Sequence, residues 1–332
     1  MTVSAPWLSI LIPAHNVERY LAACLASIHR NRASGVEVVV LDDASTDNTR
    51  GLALQWMRSF PQCRLLDAPR NVGVAEARNI LLAQARGDYI WFIDSDDVLL
   101  PGSLLRLKAI VDARVPDLVM CDFVSFRSED DGPRGFLRAS RKRTFRGSRG
   151  PGAGMDPLVS GLFANRQLHL WSKIARKEMF ENARFPPGKV FEDNAVIPAI
   201  LAGVGSYYYS AEAWVGYRRR PGSIMSTIGG KSVKDFLDSI EGLRRGVFPL
   251  IRSPEARFSL DYFCLRGLQW ALNRIERGDE VSRLHCAKVF HRMFPDGLES
   301  VFRECVRRGW LLRAFRLRGA VKEMRCLGKC LD

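Results

Sequence analysis

Acidic residues gather at the ends of apolar runs in this 332-residue chain, and the densest group is Asp94-Ser95-Asp96-Asp97. It follows the apolar run Tyr89–Ile93 directly. Three carboxylates within four residues repel one another unless a cation offsets the charge, and an oxygen-only set of this kind suits Mg²⁺ or Mn²⁺. Such a set can hold a phosphate-bearing ligand through the metal. A second pair, Asp42-Asp43, ends the valine-rich run Val36–Leu41. A lone acidic pair at a strand end is usually a helix cap or a solvated turn, so the first group carries more of the argument. No G-x-G-x-x-G follows the first apolar run, and no G-x-x-x-x-G-K-[ST] occurs, so the dinucleotide and P-loop readings lose their main support.

The elements that must position these groups alternate in type. Leu8–Ile12 reads as a buried strand, and Val17, Tyr20, Leu21, Cys24, Leu25 and Ile28 recur at helical spacing. Val36–Leu41 is a second strand. Ser45 and Thr46 are candidate caps for a helix running toward Phe60. Arg64–Leu66, Tyr89–Ile93 and Leu118–Phe123 read as strands, Val74–Ala85 as an amphipathic helix, and Pro101 as the start of another. Strands alternating with helices predict an α/β fold, a mostly parallel sheet with helices on both faces. In such sheets ligands bind beyond the carboxyl ends of the strands. Pro13-Ala14-His15-Asn16, Asp42-Asp43, Asn71-Val72-Gly73 and Asp94–Asp97 all fall there. Residues 127–154 break the pattern with seven basic side chains and no acid between Arg134 and Arg149, and with repeated glycines. They read as a mobile loop or lid. After Gly229-Gly230 the chain reads as mainly helical.

Hydrophobic residues make up 47% of the chain, enough for a core. No apolar run reaches the roughly 18 residues a membrane span needs, and no signal-peptide pattern opens the chain. The expectation is a cytoplasmic protein. Eight cysteines are scattered without a C-x-x-C pair or a zinc spacing, so helix packing is their default role. The net charge of +14 lies in the later parts: residues 1–125 carry 12 basic and 14 acidic side chains, whereas residues 126–228 carry 17 and 9. That bias favours an anionic contact such as a phosphate-bearing substrate, a membrane surface or nucleic acid.

The first half resembles glycosyltransferase family 2, whose fold is the GT-A type. The resemblance rests on the proline-and-asparagine turn after the first strand, Asp42-Asp43-Ala44-Ser45-Thr46-Asp47, Asn71-x-Gly73 with Ala77-Arg78-Asn79, and Gly87-Asp88-Tyr89-Ile90 leading into Asp94-x-Asp96-Asp97. Order and spacing agree over roughly residues 7–110. His15 stands where tyrosine is usual, and Ala44 where glycine is usual. The resemblance implies that Pro13 and the turn from Asn16 to Glu18 line a nucleoside pocket, with Asp43 accepting a hydrogen bond from the base. It implies that Asn71 and Arg78 sit near base and diphosphate, that Asp94 and Ser95 meet ribose or sugar, and that Asp96 ligates the metal. Further on, Trp171-Ser172-Lys173 and the segment from Phe185 to Asp193 are similar to the part of family 2 enzymes where an acidic pair supplies the catalytic base. A sugar hydroxyl is a poor nucleophile, and a carboxylate must take its proton as attack proceeds. Asp193 is assigned that role, with Glu192 second; the alternative is that the pair starts a helix by complementing its dipole. Arg218 and Arg220, alternating along a strand, could face a leaving diphosphate or be solvated. Trp171 and Lys173 belong with them on the acceptor or diphosphate side.

The family thus implies an inverting, metal-dependent transferase using a nucleotide sugar, with uridine diphosphate as the usual carrier. The acceptor would be a saccharide or lipid-linked molecule of surface polysaccharide or glycolipid synthesis. Residues 1–125 form the nucleotide-sugar-binding half, residues 126–228 the acceptor-binding half, and residues 229–332 a basic helical C-terminal extension. From Arg303 to Lys329, nine basic and two acidic residues interleave with Phe302, Trp310, Leu311, Leu312 and Phe315. This suits peripheral docking on an anionic membrane surface; a packed helical subdomain or a homo-oligomer interface explains the same residues. A sugar nucleotidyltransferase would need a glycine-rich basic loop after the first strand, which is missing. A nucleic-acid-binding protein would account for the charge but not for the acidic cluster, and no nucleic-acid motif is visible.

Overall fold

The computed structural model describes residues 5–31, 33–127, 140–220, 230–276 and 278–328. The first part runs β1 (Leu8–Ala14), α1 (Glu18–Arg30), β2 (Val36–Asp42), α2 (Thr49–Ser59), β3 (Cys63–Asp67), α3 (Gly73–Gln84), β4 (Tyr89–Phe92), β5 (Val98–Leu99), α4 (Ser103–Arg114) and β6 (Leu118–Arg127). Then come β7 (Ser140–Lys142), β8 (Gly150–Ala153), α5 (Met155–Asn165), β9 (Lys173–Arg176), α6 (Glu192–Gly203) and β10 (Ser206–Arg219). Among the described residues five α-helices follow: α7 (Gly230–Val247), α8 (Pro254–Leu272), α9 (Glu280–Met293), α10 (Glu299–Arg307) and α11 (Leu311–Gly328).

Among the described residues the sheet order is β3-β2-β1-β4-β9-β6-β10-β5, with β7 on β6 and β8 on β10. The half that carries the acidic groups, β3-β2-β1-β4, is parallel throughout, as the alternation predicts, and β6 runs parallel to β10. The strand β9 was not legible in the sequence. It lies antiparallel between β4 and β6 and joins the two halves of the sheet. Side chains of the central strands alternate between two cores. Leu8, Ile10, Ile12, Tyr89 and Trp91 pack on one face with α1 and α4, whereas Leu11, Val39, Ile90 and Phe92 pack on the other with α3, α5, α6 and the C-terminal helices. A period of two with both faces buried explains why β1, β2 and β4 read as unbroken apolar runs. Among the described residues, no helix is long and apolar enough to cross a membrane.

Three expectations change. Residues 140–154 are not a lid: β7 and β8 extend the sheet, and Thr144 and Phe145 between them are buried. The rest of that segment, 128–139, lies outside the described residues. Ser45 and Thr46 do not cap α2. Ser45 Oγ accepts from Asn16 N (3.0 Å), and Thr46 N donates to Asn16 Oδ1 (2.8 Å), so both tie the loop after β2 to the loop after β1. The capping role falls to Asp47, which accepts from Thr49 N (2.9 Å) and Glu18 N (3.0 Å), and to Glu18, which accepts from Asn48 N (2.8 Å). The helix after Pro101 starts at Ser103, because Gly102 takes a left-handed φ of 79°.

Under the parallel strands lies a buried polar network. Glu37 Oε1 accepts from Ser9 Oγ (2.5 Å) and Arg86 N (2.6 Å), and Glu37 Oε2 accepts from Arg64 Nη2 (2.9 Å). Ser9 Oγ in turn accepts from Gly87 N (2.8 Å). Gly87 must stay glycine, since a Cβ there would come within 2.6 Å of the Leu8 carbonyl carbon. Burial works to raise the Glu37 pKa, but the bonds from Ser9, Arg86 and Arg64 outweigh it and hold it below the ordinary value. Its stabilisation is therefore present above the unfolded carboxyl pKa and lost as pH falls through the lower folded value. Glu37→Gln should cost about 1–3 kcal/mol in urea unfolding at neutral pH. The gap to wild type should narrow as pH falls below about 4. A pH-independent gap would assign the loss to packing.

Candidate active site

The loops beyond β1, β2 and β4 and the end of β10 meet the segment before α6 and one face of α7 and α8 around a cavity of about 550 Å³. That size is ordinary for a small-molecule site. The loop geometry on the β1 side follows from His15. Its Nδ1–H donates to the Asp43 carbonyl (2.7 Å), leaving Nε2 to accept from Asn71 Nδ2 (2.9 Å), the tautomer that satisfies both contacts. Asp43 spends one oxygen on Val72 N (2.7 Å) and the other on Gly73 N (2.9 Å), so it anchors the start of α3. Each oxygen keeps a second lone pair, and Asp43 lines the cavity. Ala44 carries a φ of 51°, in the left-handed region. This explains the usual glycine at that point.

The centre of the site is Arg78, on α3 and only 3% exposed. Its Nη1 reaches Glu192 Oε1 at 2.5 Å and also bonds Asp193 Oδ1, while Nη2 donates to Asp94 Oδ1 (3.1 Å). Its guanidinium lies 5.8 Å from the ring centroids of both Phe92 and Phe185. Burial alone would lower its pKa, but the carboxylates of Asp193, Glu192 and Asp94 raise it, so Arg78 is a permanent cation. Glu192 and Asp193 open α6 and sit where its dipole favours negative charge. Burial pushes Glu192 up to about 7 despite Arg78. Asp193 Oδ2 also accepts from Leu170 N (3.2 Å). Side-chain exposure separates the pair, at 21% for Asp193 and 10% for Glu192.

On the other side of Arg78 the acidic turn closes on itself, with Asp97 N donating to the Asp94 carbonyl (3.0 Å). Oxygens of Asp94, Asp96 and Asp97 lie within 4.8 Å of one another. Burial and the neighbouring carboxylates raise the pKa of Asp97, and burial, against Arg78, raises Asp94 to about 6. Asp97 Oδ1 accepts from Arg218 N (2.8 Å), but its Oδ2 is buried without a partner. An orphaned carboxylate oxygen beside two further carboxylates fits a hard divalent cation. Arg220 Nε bonds Asp96 Oδ2 (2.5 Å), and Arg218 Nε donates to the Asp96 carbonyl (2.8 Å). Tyr20 lies under both guanidiniums, at 5.2 and 5.4 Å. The two arginines are thus tied to the acidic turn rather than solvated.

Of the residues singled out in the sequence, Pro13, Asp43, Arg78, Asp94, Ser95, Asp96, Trp171, Glu192, Asp193, Arg218 and Arg220 line the cavity. Asn16, Glu18 and Asn71 do not; they brace the loops that do. Lys173 is buried, its Nζ donating to the carbonyls of Gln167 and His169 (both 2.9 Å), so it pins the 167–169 segment from behind instead of facing a ligand. The rings of Trp171, His169 and Tyr217 are near-parallel and mutually close, Trp171 lying 4.8 Å from His169 and 5.5 Å from Tyr217, which are themselves 6.5 Å apart between centroids. Sequence reasoning missed the far wall of the cavity: Arg166, Phe191 and, from α7 and α8, Phe236, Phe263, Arg266 and Trp270. The spacing of Phe263, Arg266, Gly267 and Trp270 marks one helix face, the signal that was available.

Residues 9–171 match the profile described as Glycosyl transferase family 2. The glycosyltransferase GlyG of Streptococcus pneumoniae serotype 4 is 26% identical over 231 residues, which are 66% of this chain and 73% of GlyG. The uncharacterized glycosyltransferase EpsJ of Bacillus subtilis is 30% identical over 197 residues, 54% of this chain and 50% of EpsJ. Among solved structures, residues 1–349 of S. aureus TarS in complex with UDP align at TM-score 0.72 and 18% identity, covering 97% of this chain and 90% of that one. The mannosyltransferase PcManGT of Pyrobaculum calidifontis, in complex with GDP-Man and Mn²⁺, aligns at TM-score 0.55 and 16% identity, covering 97% and 88%. At such identities the two structures speak to fold. Sequence profile, relatives and architecture agree: this chain belongs to glycosyl transferase family 2 and is a glycosyltransferase with a GT-A fold, extended by C-terminal helices.

Proposed function

We propose that this enzyme moves a sugar from a nucleoside diphosphate sugar, a UDP-sugar, to an acceptor hydroxyl with inversion at the anomeric carbon. The observation that carries the reading is one cavity onto which Asp94–Asp96 and Glu192-Asp193 both open, joined by Arg78. Solved neighbours named as complexes with UDP and UDP-GlcNAc support the donor class. The GT-A half of residues 1–125 would hold the nucleotide sugar and residues 126–228 the acceptor, with the helices of 229–332 closing the far wall. Synthesis of a surface polysaccharide or glycolipid is the fitting context: GgaB of Bacillus subtilis, a minor teichoic acid biosynthesis protein, is 24% identical over 80% of this chain, though over 29% of its own length.

Asp94, Asp96 and Asp97 would hold a divalent cation, Mn²⁺ or Mg²⁺, whose charge neutralises the diphosphate as it departs. Arg218 and Arg220 add fixed positive charge on that side. Asp193 is the base. Of the acidic pair it is the more exposed, whereas burial favours the protonated form of Glu192. Arg78 aims Asp193 through its hydrogen bond, and Asp193 takes the acceptor proton as the hydroxyl attacks the face opposite the leaving diphosphate. Exposed Leu311, Leu312 and Phe315 on α11, beside Arg313, Arg316 and Arg318, support a peripheral place on the inner face of an anionic membrane.

Three measurements test the proposal. Asp96→Ala should abolish Mn²⁺-dependent UDP binding in titration calorimetry, and EDTA should do the same to wild type; unchanged affinity after both removes Asp96 from the metal site. Asp193→Asn should leave UDP affinity intact and slow sugar transfer by roughly 10²–10⁴-fold, with Glu192→Gln losing less. Near wild-type transfer by Asp193→Asn with an inactive Glu192→Gln would move the base to Glu192. The protein should bind anionic vesicles at low salt and release them as salt rises. Equal binding to neutral vesicles would assign the exposed face of α11 to another contact.

A further inference from the structure

The cavity has a second charged end that the donor chemistry does not use. Phe191 precedes the acidic pair, with its ring 4.9 Å from Phe236 and 6.1 Å from Trp270. Trp270 is one turn beyond Arg266 on α8, so the same helix face that touches Phe191 brings a guanidinium to the cavity. Arg266 Nε is buried without a hydrogen-bond partner. Arg166, at the end of α5, lines the same wall, and it holds a left-handed φ of 56° there. Among the described residues neither guanidinium pairs with a carboxylate, although the protein pairs Arg78, Arg220, Arg244 and Arg308 with acids. Burial and the nearby Arg266 both lower the Arg166 pKa, and Arg313 adds to the repulsion. Like charges held together against an aromatic wall, one with an unsatisfied buried N–H, leave an anion as the missing partner.

We propose that Arg166 and Arg266 form an acceptor subsite that binds an anionic group, a phosphate ester or carboxylate carried by the acceptor sugar or its neighbour, with Trp270 and Phe236 stacking on the sugar ring. The inference rests on the transferase reading above and adds the acceptor's chemical class. The two ends of the cavity have distinct neighbours. Arg218 and Arg220 are tied to the acidic turn, whereas Arg166, just past the end of α5, and Arg266, on α8, line the cavity with Phe191 and Trp270. Guanidinium groups suit this task because their fork of donors matches phosphate and carboxylate oxygens, and a flat cation beside aromatic rings remains available for a glycan.

The test is direct binding, independent of turnover. Methyl glucoside 6-phosphate, methyl glucuronide and neutral methyl glucoside are titrated into the full chain with UDP and Mn²⁺ present. At least one anionic glycoside should bind ten-fold or more tightly than the neutral one; the phosphate and uronate arms tell which anion is read. Arg266→Gln should remove that preference, and so should Arg166→Gln, which alters an exposed side chain and leaves the core intact. Both variants should keep wild-type UDP affinity. Equal binding of neutral and anionic glycosides, or a preference that survives both substitutions, overturns the subsite. Loss of UDP affinity in the variants also overturns it, by assigning the arginines to the donor. Failure of wild type to bind UDP at all would instead remove the donor reading, while the anion preference would still be measured.

Discussion

Everything in the site depends on one buried cation. Arg78 leaves the parallel half of the sheet on α3 and meets carboxylates from the end of β4 and the start of α6. Buried charge is costly, and this arginine is tolerated because several carboxylates compensate it while Phe92 and Phe185 flank its plane. The arrangement works in both directions. Without Arg78, Asp94, Glu192 and Asp193 would be three crowded carboxyl groups in a partly dry cavity with no cation between them. With it, the three are held around one cation even though burial drives Glu192 toward the neutral form. The same contacts fix the distance between the acidic turn after β4 and the acidic pair that opens α6, since Arg78 bridges them.

Much of this was legible in the sequence, and the boundary between what was and was not is physical. Asp94–Asp97 announced itself because mutual repulsion over four residues is a local property. The parallel strands were legible because both their faces are buried, which leaves unbroken apolar runs. The contacts of Arg78 with Glu192 and Asp193 were not, because those residues lie 114 and 115 positions away and only the fold brings them together. Lys173 was read as a ligand-facing charge for the same reason: nothing local says that its ammonium turns inward to two carbonyls. The strands at 140–142 and 150–153 were hidden by basic and glycine-rich composition, which is also what a solvated loop looks like.

The two ends of the cavity are built by different principles. The end beside the loops after β1 and β2 is cross-braced by short polar contacts of His15 with Asp43 and Asn71, of Asn16 with Thr46 and of Asp47 with Glu18, so its shape is set by hydrogen-bond geometry. The far end is made of side chains on α7 and α8, where packing of Phe191, Phe236 and Trp270 sets the shape. A loop-built end holds one ligand chemistry tightly, while a helix-built end can change its preference by single substitutions on one face.

The place of β9 has a consequence for how the chain acquires its structure. The family profile ends at residue 171, yet the strand that seals the sheet between β4 and β6 begins at Lys173. During synthesis β1 to β4 can pair as they emerge from the ribosome, but β4 keeps an open edge until Arg176 is available. The long strand β6 waits still longer, for β10. Such late, non-local closure slows folding and leaves strand edges exposed to other chains meanwhile. A nascent chain arrested before residue 173 would therefore be a sheet with its middle missing, a species that needs a chaperone more than the finished enzyme does.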